Sequence, residues 1–346
     1  MSPTNDRSVA ILGAGLVGLM AAAHLRPRGF AVTLIDRVEP GDPAQASYGN
    51  AGSISIGNVM PLGRPGVVAD GLRMALDPDS PLVLRPSYLP RTLPWLARLV
   101  AQSTAARSAR ASTALAALNR LSGEAWTRVA ADAGLESQVR PVGWLKLYES
   151  AASYERTALE RQRMDEAGLA YEVADPARLR ELEPGLAPLF HRGILQTGSL
   201  ALPNPGRFTA ALAAHLRREG VAFERCDVRG LRRDGEGYAW TGEGAVGRSR
   251  HLLVCGGAWS QRLLAGLGYR FPLETERGYH LMFDRVPVLN RPIVNMDRYY
   301  TLCPMEEGTR VTSCVEFAGL DGAADYRRIL RILPQARRAL PALAGE

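Results

Sequence analysis

Short apolar runs that end at a glycine alternate with stretches of helical periodicity in the first part of the chain. Residues 9–12 are all apolar and are followed by Gly13, a pattern that predicts a strand buried on both faces of a parallel sheet. Leu16–Arg26 then predicts a helix, and Ala31–Ile35 predicts a second strand. A strand, a helix and a strand in this order indicate the beginning of an open α/β fold.

The rest of the chain repeats these two periodicities. Apolar positions at helical spacing predict one or two helices over 104–133 and further helices over 153–167, 176–182, 207–219 and 325–333. Alternating or short apolar runs predict strands at 141–148, 221–224, 228–232, 238–241, 251–254, 279–283, 292–296, 299–303 and 310–315. The run of short strands after residue 271 indicates a second sheet.

These elements predict an α/β protein with two domains. Residues 1–80 and 198–265 are assigned to a discontinuous, Rossmann-like nucleotide-binding domain, because each part supplies a buried strand that ends in a glycine turn. Residues 81–197 and 266–346 are assigned to a second, α+β domain built on a mainly antiparallel sheet. At 346 residues the chain is long enough to form both cores.

Three glycines follow the first strand at the spacing of a nucleotide-binding turn. Gly13 permits a tight turn, Gly15 leaves room for the backbone to approach a pyrophosphate, and Gly18 lets the helix lie close to the sheet. The helix N-terminus then presents N–H groups and a positive dipole end to phosphates. Asp36, eighteen residues past Gly18, is placed to accept hydrogen bonds from a ribose 2′-OH. The motif also fits a glycine-rich turn in another α/β fold, and it leaves the identity of the dinucleotide open.

Composition and charge exclude several classes of function. The fractions of 46% hydrophobic and 22% charged residues are typical of a soluble protein. The net charge is +7, but the basic residues are scattered among acidic ones, so we expect no nucleic-acid partner. All but one of the 42 Lys and Arg residues are arginine, the exception being Lys146, which indicates coding bias rather than a polyanionic partner.

The cysteines and apolar segments predict a cytoplasmic protein without a metal site. The four cysteines form no CxxC pair and no Cys/His cluster has zinc spacing, so we expect free thiols in a reducing compartment. The glycine turn explains the N-terminal apolar run better than a signal peptide does, and no run reaches the ~18 apolar residues of a membrane span. Pro81–Val100 contains four prolines and predicts an irregular connector; the alternative is a patch that rests peripherally on the inner face of the cell membrane.

Several sequence pieces together resemble the D-amino acid oxidase superfamily of FAD enzymes, and most closely its bacterial D-amino acid dehydrogenases (small subunit). The matching pieces keep the family's order along the whole chain: ILGAGLVGL (11–19), ASYGNAG (46–52), CGGAWS (255–260), ERGYHLMF (276–283), SCVEFAG (313–319) and LPAL (340–343). The first motif is shared with many dinucleotide folds, whereas ASYGNAG and CGGAWS are more specific.

The resemblance implies that FAD is the cofactor. It assigns FAD contacts to the glycine turn, the end of the second strand, the ASYGNAG loop and the CGGAWS turn. It also assigns a backbone contact with adenine to Val228. The implied residues are Gly13, Ala14, Gly15, Leu16, Val17, Gly18, Asp36, Arg37, Ser47, Asn50, Ala51, Gly52, Val228, Gly256, Gly257 and Trp259. From its position alone, Trp259 is also interpreted as a packing residue beside the turn.

The resemblance also implies a substrate site on the strands of the second domain, against the flavin. The polar side chains assigned to it are Arg277, Tyr279, His280 and Tyr300, with Tyr299 and Arg298 as further candidates. An arginine and a tyrosine hydroxyl suit a substrate carboxylate. The implied reaction transfers the α-hydrogen of an amine to flavin N5 as a hydride, which needs orientation more than a strong base. The alternatives are structural roles for the arginines and a half-buried sheet position for His280.

Family members continue past LPAL into a tryptophan-containing segment with Arg-Pro and Pro-Asp-Gly patterns, and then a glycine-rich turn and helix that point at the flavin. This sequence ends at Glu346, before both, which predicts either a truncated chain or incomplete flavin and substrate sites. Three functions stay open: a D-amino acid dehydrogenase that passes electrons to a quinone or an electron-transfer chain, a glycine- or sarcosine-type amine oxidase, and a catalytically silent paralogue that acts as a binding subunit. A nicotinamide-dependent enzyme is disfavoured because it leaves ASYGNAG unexplained.

Overall fold

The computed structural model describes residues 7–77, 80–243, 245–284 and 289–345. The chain divides into two units, each with its own core. The first unit comprises Met1–Gly49, Val129–Leu135 and Asn204–Leu273, and the second comprises Asn50–Arg128, Glu136–Pro203 and Glu274–Glu346. Residues 50–80, which we assigned to the nucleotide-binding domain, lie in the second unit. The ligand assigned to each predicted domain stays a prediction.

The strands are short and are distributed along the whole chain. They are β1 Ser8–Leu12, β2 Ala31–Asp36, β3 Ser53–Ile54, β4 Leu82–Leu84, β5 Trp144–Tyr148, β6 Tyr171–Ala174, β7 Arg192–Gln196, β8 Leu200–Ala201, β9 Ala222–Arg225, β10 Val228–Asp234, β11 Gly237–Gly242, β12 Ala245–Ser249, β13 His251–Val254, β14 Arg277–Asp284, β15 Ile293–Asn295, β16 Tyr300–Met305 and β17 Gly308–Phe317.

The helices connect these strands and include one long helix of 29 residues. They are α1 Leu16–Leu25, α2 Val67–Leu76, α3 Leu89–Gln102, α4 Ala105–Ala133, α5 Ala151–Glu155, α6 Ala158–Glu166, α7 Pro176–Leu182, α8 Pro205–Arg218, α9 Ser260–Ala265 and α10 Arg327–Ala339, with 3₁₀ turns at Arg26–Arg28, Glu136–Gln138, Gly257–Trp259 and Pro341–Gly345.

A parallel sheet in the order β13-β1-β2-β9 forms the centre of the first unit. The apolar residues of β1 and β2 are buried, with Ile11 and Leu34 at 0% exposure, because strands of a parallel sheet are covered on both faces. Strands β10, β11 and β12 form a separate antiparallel sheet. The predicted Rossmann-like sheet is therefore confirmed.

An eight-stranded sheet forms the centre of the second unit, in the order β14-β17-β16-β15-β5-β7-β6, with β4 added to the end of β17. Its pairs are antiparallel except β15 with β5 and β17 with β4, which confirms the prediction of a mainly antiparallel sheet. Apolar residues of one face and of α10 form a common core that includes Leu302, Val311, Ile332 and Ala336. Helix α10 therefore covers that face of the sheet.

The prediction of an irregular connector over 81–100 is wrong, because the segment contains β4 and the 14-residue helix α3. Pro90 lies in the first turn of α3, where a backbone N–H has no acceptor within the helix, so the N–H that proline lacks is not missed. Pro94 lies inside the helix and removes a hydrogen bond there, a loss that α3 tolerates. In the part of the chain that the structure describes, no helix has the length and apolar character needed to cross a membrane.

The four cysteines are free thiols, as predicted. Burial raises the pKa of Cys303 to about 12 and that of Cys314 to about 11, so both thiols stay protonated at neutral pH. Neither is therefore suited to act as a thiolate nucleophile.

An ion pair with a buried carboxylate fixes the loop before β15 to the end of α7. Glu183 is 1% exposed, and its carboxylate accepts hydrogen bonds from Arg291 Nε at 2.9 Å and from the Asn290 N–H at 2.9 Å. Burial raises the pKa of Glu183, and the two donors oppose this shift. The carboxylate therefore depends on Arg291 to remain charged inside the protein.

We expect Arg291→Met to lower the free energy of unfolding by about 3 kcal/mol near pH 8, because it leaves a buried carboxylate without its cation. The folded-state pKa of Glu183 is already raised and rises further in the variant, so the destabilisation should shrink as the pH falls towards about 4.5 and the carboxyl takes up a proton. Urea unfolding at both pH values measures this. Arg180→Met, at an exposed position of α7, is the control and should change stability by less than about 0.5 kcal/mol. A pH-independent loss would contradict the interpretation.

Candidate functional site

The turn between β1 and α1 requires glycine for two separate steric reasons. Gly13 has φ +107°, and a Cβ there would overlap the carbonyl oxygen of Cys255 at the end of β13. A Cβ at Gly18 would overlap the carbonyl oxygen of Gly13. The Gly13 N–H donates to Ile35 O at 2.8 Å, so the turn is attached to β2 as well. The glycine spacing therefore produces the close backbone approach that the sequence predicted.

The N-terminus of α1 is built from this turn. Gly15 precedes the helix and has no side chain that could cap it, and a Cβ at this position would be 3.1 Å from Ser47 Oγ. Ser47 Oγ accepts the Leu16 N–H at 3.1 Å, which places Ser47 at the helix end. The Val17 side chain is 71% exposed. The helix N-terminus therefore has the positive dipole end and the open surface that suit a phosphate.

Asp36 lies at the end of β2 beside this turn. Its Oδ2 accepts the Ala14 N–H at 2.8 Å and Gln45 Nε2 at 3.2 Å, and its Oδ1 accepts the Val38 N–H at 3.3 Å. Two carboxylate oxygens offer about four acceptor positions, so capacity remains for a ribose hydroxyl. The sequence motif did not identify Gln45, because no local pattern shows that its amide reaches back to Asp36.

The strand-end turn after β13 completes this group of residues. The Cys255 N–H donates to Leu12 O at 2.7 Å, and Gly257 has φ +53°. Trp259 is 38% exposed, and the Arg37 guanidinium lies 4.4 Å from its ring centroid. The predicted FAD residues at 13–18, 36, 37, 47, 256, 257 and 259 are therefore brought together within the first unit. Val228 begins β10 and pairs with Gly242, and its predicted adenine contact stays a prediction.

The arrangement fits the adenosine and pyrophosphate portion of a dinucleotide. Glycines are required where backbone must approach backbone, a helix N-terminus is present, and a carboxylate lies at the end of the neighbouring strand. These are the three features that a pyrophosphate and a ribose need from a protein. The residues of the first unit would therefore hold the nucleotide half of FAD.

The segment Asn50–Ile54 of the second unit has a tightly defined conformation. Asn50 Oδ1 accepts the Gly52 N–H at 2.7 Å, and Gly52 has φ +61° with no room for a Cβ against the Leu202 carbonyl. The Leu202 N–H donates to Gly52 O at 2.6 Å, and β3 then pairs with β8. Arg310 Nη1 donates to Asn50 O at 2.8 Å from the large sheet. The segment is therefore attached on two sides.

Two of the predicted substrate side chains take part in a buried network around Glu316, which is 2% exposed. The Tyr279 hydroxyl donates to Glu316 Oε2 at 2.5 Å and accepts the Asp325 N–H at 2.9 Å. Arg277 Nη1 lies 3.4 Å from Glu316 Oε2, and Arg85 Nε donates to Oε1 at 2.7 Å. Glu316 lies within the SCVEFAG motif, but no role was predicted for it from the sequence. A substrate contact by Arg277 or Tyr279 stays a prediction, and it would require these bonds to be exchanged.

The other tyrosines have contrasting environments. Tyr300 is 1% exposed, its hydroxyl donates to Gln335 O in α10 at 3.2 Å, and burial raises its pKa to about 12. Tyr299 is 41% exposed with φ +54°. Arg298 forms an ion pair with Glu149 at 3.2 Å. Tyr300 therefore faces α10, and its predicted role toward the substrate stays a prediction.

His280 lies on the sheet face opposite α10. It alternates with Tyr279 and Leu281, whose side chains pack towards α10, and its register partner is Thr312 of β17. Burial lowers the pKa of His280, and the nearby cation of Arg310 lowers it further. The imidazole is therefore neutral at pH 7 and above, and it can accept as well as donate a hydrogen bond.

Comparison with known proteins gives one family for the whole chain. The family model described as "FAD dependent oxidoreductase" (DAO) matches residues 8–346. The chain is 34% identical to a D-amino-acid oxidase of Bradyrhizobium diazoefficiens over 349 residues, covering 97% of this chain and 82% of that protein. It is 30% identical to a D-amino acid dehydrogenase of Xylella fastidiosa strain M23 over 331 residues, covering 92% of this chain and 75% of that protein.

Solved structures with the same fold include a glycine oxidase and an L-proline dehydrogenase. Glycine oxidase from Geobacillus kaustophilus superposes with a TM-score of 0.67 at 17% identity, covering 97% of this chain and 79% of that one. L-proline dehydrogenase from P. horikoshii superposes with a TM-score of 0.68 at 13% identity, covering 99% of this chain and 79% of that one. At this identity the superpositions establish the fold.

We expect Asp36→Ala to weaken FAD binding by about tenfold to a hundredfold, because it removes a charged acceptor beside the nucleotide turn. Titration of the flavin-free protein with FAD, followed by flavin fluorescence, measures the dissociation constant. Glu39→Gln, three residues further along at an exposed position, is the control and should bind FAD as the wild type does. Equal affinity of Asp36→Ala and wild type would remove Asp36 from the site.

Proposed function

Because the chain belongs to the DAO family of FAD-dependent oxidoreductases, we propose that it oxidises the C–N bond of D-amino acids to 2-oxo acids and ammonia. FAD, when bound, supplies the two-electron acceptor for the hydride that leaves the α-carbon. The oxidised substrate is an imine, and water adds to it and releases ammonia. The amine needs only to be neutral when the hydride leaves, so the site requires orientation rather than a strong base.

One observation carries this proposal. Proteins named D-amino-acid oxidase and D-amino acid dehydrogenase are 30–34% identical to this chain and align with more than nine tenths of it. The alignments extend over 97% and 92% of the chain, so the similarity is not confined to the nucleotide-binding part. The nucleotide turn supports the cofactor, and the named relatives support the substrate class.

We propose a dehydrogenase, which passes its electrons to an acceptor such as a quinone or an electron-transfer chain. The alternative is an oxidase, which passes the electrons to oxygen and forms hydrogen peroxide. The 34% identity to a D-amino-acid oxidase supports this alternative. The two differ in the reaction of the reduced protein with oxygen. Peroxide formation therefore separates them directly.

The residues of this chain would contribute binding and orientation. The turn at 13–18 and Asp36 would hold the nucleotide, and Asn50, Ala51 and Gly52 are proposed as further FAD contacts. His280, neutral at pH 7, would donate or accept one hydrogen bond from the substrate without adding a charge. Arg277 is proposed to bind the substrate carboxylate, for which it would have to give up its 3.4 Å contact with Glu316 Oε2.

The purified protein with FAD should be yellow and should lose its flavin absorbance when a D-amino acid such as D-alanine is added without oxygen. L-alanine is the matched control and should leave the spectrum unchanged. A fast reoxidation in air with stoichiometric hydrogen peroxide would indicate the oxidase. An FAD-loaded protein that no D-amino acid reduces would contradict the proposed reaction.

His280→Asn should lower kcat/KM for the D-amino acid by about tenfold, because one hydrogen bond that orients the substrate is lost. Since burial and Arg310 already keep His280 neutral, the loss should be the same from about pH 7 to about pH 9. Steady-state kinetics across this range measure it, and the flavin spectrum reports the integrity of the cofactor site. His191→Asn, at a half-buried position just before β7, is the control. A loss that changes steeply with pH over this range, in either direction, would contradict a neutral imidazole.

A further inference from the structure

Arg310 is a buried arginine in β17 that none of the sequence motifs includes. Its exposure is 6%, and β14 and β16 flank it on both sides. Its Nη1 donates to Asn50 O at 2.8 Å, and its Nε lies 3.2 Å from Met282 Sδ. Two contacts therefore fix the direction of the guanidinium.

The Asn50 contact joins residues that are 260 positions apart in the sequence. A buried guanidinium needs hydrogen-bond acceptors, and a main-chain carbonyl near it gains a charge-assisted bond. The bond is made by a side chain on one element and by backbone on another. It therefore fixes the position of the Asn50 backbone relative to the large sheet, whatever side chain stands at residue 50.

The other end of the segment is fixed independently. The Leu202 N–H donates to Gly52 O at 2.6 Å, and Ser53 and Ile54 pair with β8. Between the two attachments, Asn50 Oδ1 accepts the Gly52 N–H and Gly52 adopts φ +61°. The conformation of Asn50–Gly52 therefore depends on both attachments, of which Arg310 provides the one nearest Asn50.

We propose that Arg310 is a positioning residue for FAD, which holds Asn50–Gly52 in the conformation that receives the cofactor. This inference rests on one part of the proposed function, namely that Asn50–Gly52 contact the cofactor. It does not depend on which substrate is oxidised. The same cation also lowers the pKa of His280, so one residue influences both the cofactor segment and the sheet face that carries His280.

Arginine suits this role better than its alternatives because its planar fork directs several N–H groups at once. Lysine at position 310 would keep the charge and one donor for Asn50 O, whereas methionine would keep only the volume. A graded effect of the two substitutions on FAD binding therefore distinguishes positioning from simple packing.

The experiment compares Arg310→Met, Arg310→Lys and Arg192→Met as flavin-free proteins titrated with FAD. Arg192 lies in β7 of the same sheet and also donates to a main-chain carbonyl, that of His191 at 3.2 Å, so it is the matched control. We expect Arg310→Met to weaken FAD binding by about tenfold or more and to shift the visible flavin spectrum. Arg310→Lys should restore part of the affinity, and Arg192→Met should bind FAD as the wild type does.

The melting temperature of each flavin-free protein separates positioning from unfolding. A folded Arg310→Met protein with wild-type FAD affinity and spectrum would overturn the proposal, and so would an equal loss of affinity in Arg192→Met. If Arg310→Met does not fold, Gly52→Ala tests the same segment, because a Cβ there would overlap the Leu202 carbonyl and displace it. Wild-type FAD affinity in Gly52→Ala would then overturn the proposal. Failure of the proposed reaction appears separately, as a wild-type protein that binds FAD but is not reduced by D-alanine.

Discussion

The close approach of backbone around Gly13 is the constraint on which the nucleotide-binding turn depends. Gly13 lies against the Cys255 carbonyl, and its own N–H binds the carbonyl of Ile35. Three parallel strands, β1, β2 and β13, therefore contribute main-chain groups to one residue. The pairing of β13 with β1 brings residue 255 to this turn, which explains why a segment near the end of the first unit belongs to a site that begins at residue 13.

Local patterns were sufficient to predict the parts of the fold whose cause is local. The glycine spacing, the apolar run of β1 and the position of Asp36 each follow from the steric and polar needs of a few neighbouring residues. Helix α3 was missed because the number of prolines was given more weight than their positions within the helix. In that case the sequence held the information, and the error lay in the interpretation.

Other parts of the candidate site could not be predicted because their cause is long-range. Gln45 and Arg310 lie outside the quoted motifs, and Glu316 lies in SCVEFAG without a role that the motif reveals. Each acts through a residue distant in sequence or in another element. A second limit on prediction is that the sequence does not show which face of the sheet a strand residue occupies. Tyr279 and His280 are adjacent in β14, so their side chains point to opposite faces of the sheet, and only the packing of α10 shows which face is the core.

Two arginines of the second unit, Arg291 and Arg310, illustrate how the acceptor of an arginine decides what its loss costs. Arg291 is paired with the buried carboxylate of Glu183, so its removal leaves a charge in the interior and the cost falls on the stability of the whole unit. Arg310 donates to the neutral carbonyl of Asn50, and a carbonyl without this donor costs far less than a carboxylate without its cation. The contact between Arg310 and Asn50 O therefore acts on the position of the segment that contains Asn50. The charge of the acceptor, more than the burial of the arginine, distinguishes a residue that stabilises the fold from one that positions a site.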